Sequence, residues 1–204
     1  MSTTELKPGA PARRGHVRAT PSTATSRWQS PPVIGATLAL AALVAVAQSS
    51  VSASVLRASL VLLVVPCALI DLERRIIPNK ITGPGALFAL IAGLALDPGG
   101  EPKRLLWAAV AGGFLLIASL LSPSGMGMGD VKLLAVMGLL LGSAAVVALL
   151  VALLGNILGA VVMSSRRGVR AALKSYIPFG PYLAVGAIVA ALVGDALIHL
   201  YLHG

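Results

Sequence analysis

The sequence predicts an all-α membrane protein, a polytopic transmembrane bundle of about seven helices, and three observations lead there. Of its 204 residues, 57% are hydrophobic and only 11% charged, and the mean hydropathy is +0.91; a soluble domain carries about 25% charge. The apolar residues fall in long runs separated by short breaks of Gly, Pro and charge. Threaded alternately across a bilayer, those runs leave nearly all Lys and Arg on one side. At about 20 residues per crossing, the chain has room for roughly six to eight helices and none for a separate soluble catalytic domain.

Residues 1–32 stand apart, rich in Pro, Ser, Thr and Arg and without an apolar period. Such a segment cannot bury enough surface to offset its ordering entropy, so a disordered, basic cytoplasmic tail is expected. A secretory signal fits less well, because the basic lead-in is unusually long and the following apolar run lacks a clear cleavage site. The integral-membrane domain is then 33–204, with helices at roughly 33–48, 51–70, 82–96, 104–121, 131–142, 144–163 and 179–202. The first, third and fifth are short for a crossing. Residues 131–163 form one apolar stretch too long for a single span, so a tight hairpin is expected at Gly142-Ser143.

Charge sets the orientation. With the tail inside and seven helices following, Arg74, Arg75, Lys80, Lys132 and the Arg166 to Lys174 segment join the tail on the cytoplasmic side. Lys103 and Arg104 fall outside, with Arg57 in the outer half of the second helix, reaching outward to the headgroups. The C-terminus is then external. The net charge of +9 is accounted for by orientation and attraction to anionic lipid, so lipid is a partner and nucleic acid is not.

Two aspartates carry the chemistry. Asp71 ends the second helix and Asp130 precedes the fifth, so the topology puts both on the cytoplasmic face. A carboxylate bordering hydrocarbon is costly and marks a functional site. Two of them at one depth, partly shielded from water, cannot both ionise cheaply, which leaves one acid and one base. That arrangement activates water against a peptide carbonyl. Glycines 125, 127 and 129 would let the backbone bend sharply into the helix and a substrate strand approach.

The run Gly127-Met128-Gly129-Asp130-Val131-Lys132-Leu133-Leu134-Ala135 resembles the GxGD signature of the type IV prepilin peptidases, and Asp71-Leu72 followed by Ile77-Pro78-Asn79 resembles that family's first aspartate motif. Ile177-Pro178-Phe179-Gly180-Pro181-Tyr182-Leu183 is similar to its segment at the start of the last helix. The resemblance implies a six-helix peptidase core plus one N-terminal helix, in the bacterial inner membrane. It implies an aspartyl endopeptidase, without cofactor, that cuts the leader from pilin-like precursors at the cytoplasmic face. Asp71 and Asp130 carry over as the catalytic pair, with Gly127, Gly129, Lys132, Pro78, Asn79, Phe179, Gly180 and Pro181 as supporting motif residues. Larger members add paired CxxC motifs associated with zinc and N-methylation. Here the one cysteine, Cys67, lies in an apolar helix, so no metal site and no methyltransferase activity are expected. The chain looks most like the short, peptidase-only members, often associated with tight-adherence pili.

Structural alternatives exist for each residue. Asp71 could pair with Arg74 or Arg75, Asp130 could cap the fifth helix, and Glu73 reads as a solvated loop charge. Pro78 would end the second helix or shape the loop, and Asn79 would cap the next helix. Lys132 would snorkel to the inner phosphate layer. Phe179-Gly180-Pro181 reads as a kinked helix start; lining the site, Gly180 would permit close packing and Phe179 would contact a substrate helix. Asp195 is expected to satisfy itself with His199, four residues on. The rival functions are a proton- or ion-coupled transporter, which would show internal repeats and midplane charges, and a noncatalytic pilus-assembly scaffold. Oligomeric state is not legible from the sequence.

Overall fold

A computed structural model describes residues 29–121, 127–167 and 178–203. Nearly all of the expected disordered tail lies outside these residues, as do Gly125, Ile177 and the basic positions Arg170 and Lys174. The described chain forms seven α-helices: α1 Pro31–Val46, α2 Val51–Arg74, α3 Asn79–Leu96, α4 Glu101–Leu121, α5 Met128–Leu141, α6 Ala144–Arg167 and α7 Gly180–His203. Local chemistry explains several of their starts. Pro31 and Pro32 open α1, where a missing N–H costs nothing. Ser50 caps α2, its side chain accepting from the Ala53 N–H at 3.2 Å.

Five helices, α2, α3, α4, α6 and α7, are long and apolar enough to cross a bilayer. Side chains such as Leu87 and Ile91 on α3, Leu106 and Phe114 on α4, and Leu154 and Leu158 on α6 remain exposed on the outside of the bundle. A soluble protein would bury so large an apolar belt, whereas lipid covers it here. The protein is a multi-pass helical membrane protein. α1 has 16 residues and α5 has 14, both short as expected, whereas α3, expected to be short at 82–96, starts at Asn79 and with 18 residues is long enough to cross. α5 is largely enclosed by the other helices, with Leu133, Leu134 and Met137 fully buried.

The break at Gly142-Ser143 is where the sequence places it. α5 stops at Leu141, Gly142 takes φ 60° and ψ −132°, and α6 begins two residues on. A side chain is strained in that backbone region, so glycine is required. Leu140 to Ser143 share a cavity with Ser50, Arg57, Asp97 and Asp195, which places this turn at the end of the bundle opposite Asp71 and Asp130. α5 therefore traverses the bundle and α6 returns.

Helix packing relies on close backbone approach. The most extensive contacts join α4 to α5 and α6 to α7. A Cβ on Gly138 of α5 would lie 2.5 Å from the Ala108 Cα and 2.7 Å from its nitrogen, and one on Gly112 of α4 would lie 2.8 Å from the Ala135 Cβ. Gly186 of α7 meets the backbone of Ala148 in α6 in the same way. Small residues at crossings are the usual device in lipid, where no hydrophobic force drives helices together.

The end of the bundle opposite the aspartates is tied by ions. Arg104, at the start of α4, donates to Asp97 Oδ2 at 2.7 Å, to Glu101 Oε2 and to the Gly93 carbonyl at 3.2 Å, joining α3 to α4. Arg57 does not reach outward to headgroups: its guanidinium bonds Gln48, the Ala191 carbonyl and Asp195, tying α2 to α7 and to the end of α1. Turning inward satisfies its donors against fixed acceptors. Asp195, expected to be met by His199, is the carboxylate that receives Arg57.

Candidate active site

Asp71 lies in the last turn of α2 and Asp130 in the first turn of α5, both 5% exposed. The helices extend further than the sequence suggests, so both aspartates sit within helices instead of beside them. α2 runs on to Arg74 and is ended by Arg75, whose left-handed φ of 55° turns the chain while its N–H donates to the Asp71 carbonyl at 2.8 Å. Pro78 does not terminate α2; it stands at the N-cap position of α3, its fixed φ suited to the extended approach. Asn79 is the first residue of α3, one past the cap position that Pro78 holds. Its Oδ1 accepts from Lys132 Nζ at 3.1 Å, so the exposed Lys132 reaches across to α3. Asp130 is likewise not a cap. Gly127 holds that position, in an extended conformation open to any residue, and Asp130 donates its N–H to the Gly127 carbonyl at 3.1 Å.

Three separated segments converge here. A Cβ on Gly129 would sit 2.8 Å from the Ile77 Cβ, so the glycine admits the loop after Asp71, not a substrate strand. With Asn79 and Lys132, that contact holds the two aspartate segments side by side. The charge of Asp71 acts on Asp130. The start of α7 closes the group: the Gly180 N–H donates to Asp71 Oδ2 at 3.0 Å. Close packing at Gly180 is present, but against Asp71, since a Cβ there would lie 2.8 Å from Oδ2. Phe179 is buried in the core instead of facing a substrate. Pro181 follows within the first turn of α7, where its missing N–H costs nothing. Glu73 is exposed. Cys67 is fully buried, one turn before Asp71.

Beside Lys132 and Asn79 opens an apolar trough of about 580 Å³ between α3, α4 and α5. Its walls include Thr82, Gly83 and Ala86 of α3, Ala108 of α4, and Ala135 and Leu139 of α5. The α3 and α5 positions recur at three- and four-residue steps, so each helix gives one face. Small side chains on those faces leave room for another apolar chain. Among the described residues, no cluster of three or more His, Cys, Asp or Glu side chains could hold a metal ion.

Comparison with known proteins bears on the family. Residues 58–164, which include both aspartates, match the type IV leader peptidase family. The chain is similar to proteins named prepilin leader peptidase/N-methyltransferase. It is 36% identical to that of Aeromonas salmonicida over 149 residues, which is 65% of this chain and 47% of the relative. For Bacillus subtilis the figures are 32% over 142 residues, 69% and 56%; for Pseudomonas aeruginosa, 35% over 143 residues, 67% and 48%. The chain thus spans about half the length of these curated relatives. No solved structure matches it. With both aspartates inside the matched region, the chain belongs to the type IV leader peptidase family.

Proposed function

We propose that the protein is an aspartic-type endopeptidase that removes the leader from pilin-like precursors. The observation that carries this reading is the pair of buried carboxyl groups, Asp71 and Asp130, brought to one end of the bundle by segments 59 residues apart in sequence. Buried side by side, two carboxyls hold one proton between them, so one can take a proton from water while the other supplies one to the scissile carbonyl oxygen. No cofactor is needed for that chemistry. Family membership and the names of the relatives supply the substrate class. Against an ion-coupled carrier stands the position of both carboxyls at one edge, away from the midplane.

The trough beside Lys132 is the proposed seat of the precursor's apolar helix. Its lining includes Asn79 and Lys132, with Lys132 two residues beyond Asp130, so a helix seated there would have its end near the aspartate segments. The bond to be cut then unwinds into the site, because a helical peptide bond keeps its carbonyl engaged. Cleavage should tolerate changes in the mature helix that keep it apolar and fail when the junction is held helical. The positive-inside bias of the basic residues supports a bacterial inner-membrane location with the tail and the aspartate end cytoplasmic and the C-terminus external. With Cys67 alone and buried, these residues supply no thiolate cluster for the zinc site associated with methyl transfer, so peptidase activity without N-methylation is proposed.

The test is a panel of pilin-like precursors incubated with purified protein in lipid, with cleavage read by mass. Removal of the leader at one bond, without methylation of the new terminus when a methyl donor is supplied, is the expected result. Ion flux into vesicles with every precursor left intact would contradict it.

A further inference from the structure

We infer that Gly180 is a positioning residue whose backbone N–H divides the labour of the pair, holding Asp71 as the ionised base and leaving Asp130 as the proton-bearing acid. This rests on the endopeptidase reading above. The Gly180 N–H can only donate, and it points at Asp71 Oδ2 from 3.0 Å. Such a bond is strongest to a carboxylate and weakens when that oxygen is protonated. Its source adds to the preference, because Gly180 is the first residue of α7, a helix of 24 residues whose N-terminal end favours negative charge. Pro181 offers no N–H, and the Leu183 N–H is committed to the Phe179 carbonyl at 3.1 Å. Phe179 and Leu183, both buried in the core, fix the donor's position.

The fit is close on both sides. A Cβ at position 180 would lie 2.8 Å from Asp71 Oδ2 and 3.0 Å from the Asp71 Cβ. Any side chain there therefore displaces the carboxylate that the N–H holds. Asp71 also feels the charge of Arg75, just past its own helix, and faces Cys67 one turn back and Asp130 across from α5. Asp130 has its own backbone donor in Gly127, but it faces the charge of Asp71. Each has one donor, and the ends of their own helices act the other way, the last turn of α2 against charge on Asp71 and the first turn of α5 in favour of it on Asp130. The division therefore rests on the Gly180 bond at the start of α7 and on the Arg75 charge.

The division fixes the steps. A water oxygen bonds to the scissile carbonyl carbon as its proton passes to Asp71, while the Asp130 proton passes to the carbonyl oxygen, giving a diol. The C–N bond then breaks with its electron pair on nitrogen, which takes the proton from Asp71. A diol hydroxyl returns its proton to Asp130 as the new carboxyl group forms, and both aspartates end as they began.

The experiment replaces the Gly180 amide by an ester, which removes the N–H and adds no atoms, and follows kcat/KM for a pilin-like precursor against pH. The acid limb, which reports ionised Asp71, should move to higher pH by about one unit with KM unchanged. The basic limb should move less. Arg75→Gln, which keeps the backbone N–H that closes α2 and removes the charge, should shift the acid limb in the same direction. Profiles that superimpose on the wild type in both variants, or a shift of the basic limb alone, overturn the assignment. Asp71→Asn and Asp130→Asn serve as controls: turnover in either one refutes the pair itself, whereas two inactive controls with unmoved profiles refute only the role of Gly180.

Discussion

Each residue at this site is held by a contact far from it in sequence. Gly129 is the clearest case, since its missing side chain leaves the space that Ile77 fills. Gly129→Ala should push the loop after Asp71 away from α5 and lower kcat/KM for precursor cleavage roughly tenfold, about 1.4 kcal/mol in transition-state terms. The helical content of the purified variant should match the wild type; an unchanged rate would show that Ile77 has no part in placing the site. The trough gives a prediction of the opposite kind. A Cβ at Gly83 meets open space, so Gly83→Leu should fold normally while occupying the volume proposed for the precursor helix. KM should rise severalfold with kcat kept, the signature of lost substrate binding. A parallel loss of kcat alone would move docking elsewhere.

Among the elements, α5 is the shortest and the most enclosed, and two glycines, Gly138 within it and Gly142 just past its end, bound its tolerance to change. Gly138 faces the backbone of Ala108 and Trp107 in α4, and backbone cannot swing aside as a side chain can. Gly138→Ala should therefore cost about 1–3 kcal/mol, read as a fall in thermal midpoint in detergent. Gly142→Ala should also destabilise, through the strain of its positive φ. The helices themselves were legible because apolar runs and their breaks mark spans directly, and Gly142-Ser143 was visible as the point where one run exceeds a bilayer. Their ends were less so. Arg75 closes α2 in a left-handed turn that no glycine announces, and α5 starts at Met128, three residues before its first long apolar run. Asp71 and Asp130 stood out as carboxylates among hydrocarbon. Gly180 as a donor to Asp71 did not, because a main-chain N–H leaves no trace in residue type. Nor did the Arg57 to Asp195 tie, since its members lie 138 positions apart.

Taken whole, the bundle has a chemical end and a clamped end. At the clamped end, the Arg104 guanidinium, hydrogen-bonded to Asp97 between α3 and α4, holds that carboxyl below its ordinary value of 3.8. A lowered value in the folded state means that the tie stabilises the protein fully above 3.8 and is lost as pH falls through the lower, folded value. Wild-type protein should therefore lose stability in that acid range by an increment that Asp97→Asn lacks, as measured by thermal unfolding across pH. Because the tie is remote from Asp71, the same variant should cleave precursor at the wild-type rate near neutrality.

At the chemical end everything depends on two carboxyl groups acting as one unit. The most direct measurement compares precursor cleavage by the wild type with Asp71→Asn and Asp130→Asn, each confirmed as folded by its thermal midpoint. Asn keeps the shape and removes the ionisation, so each single variant should be inactive, and the double variant no worse than either. Near-normal turnover in one of the singles would show that a lone aspartate suffices and that no proton is shared.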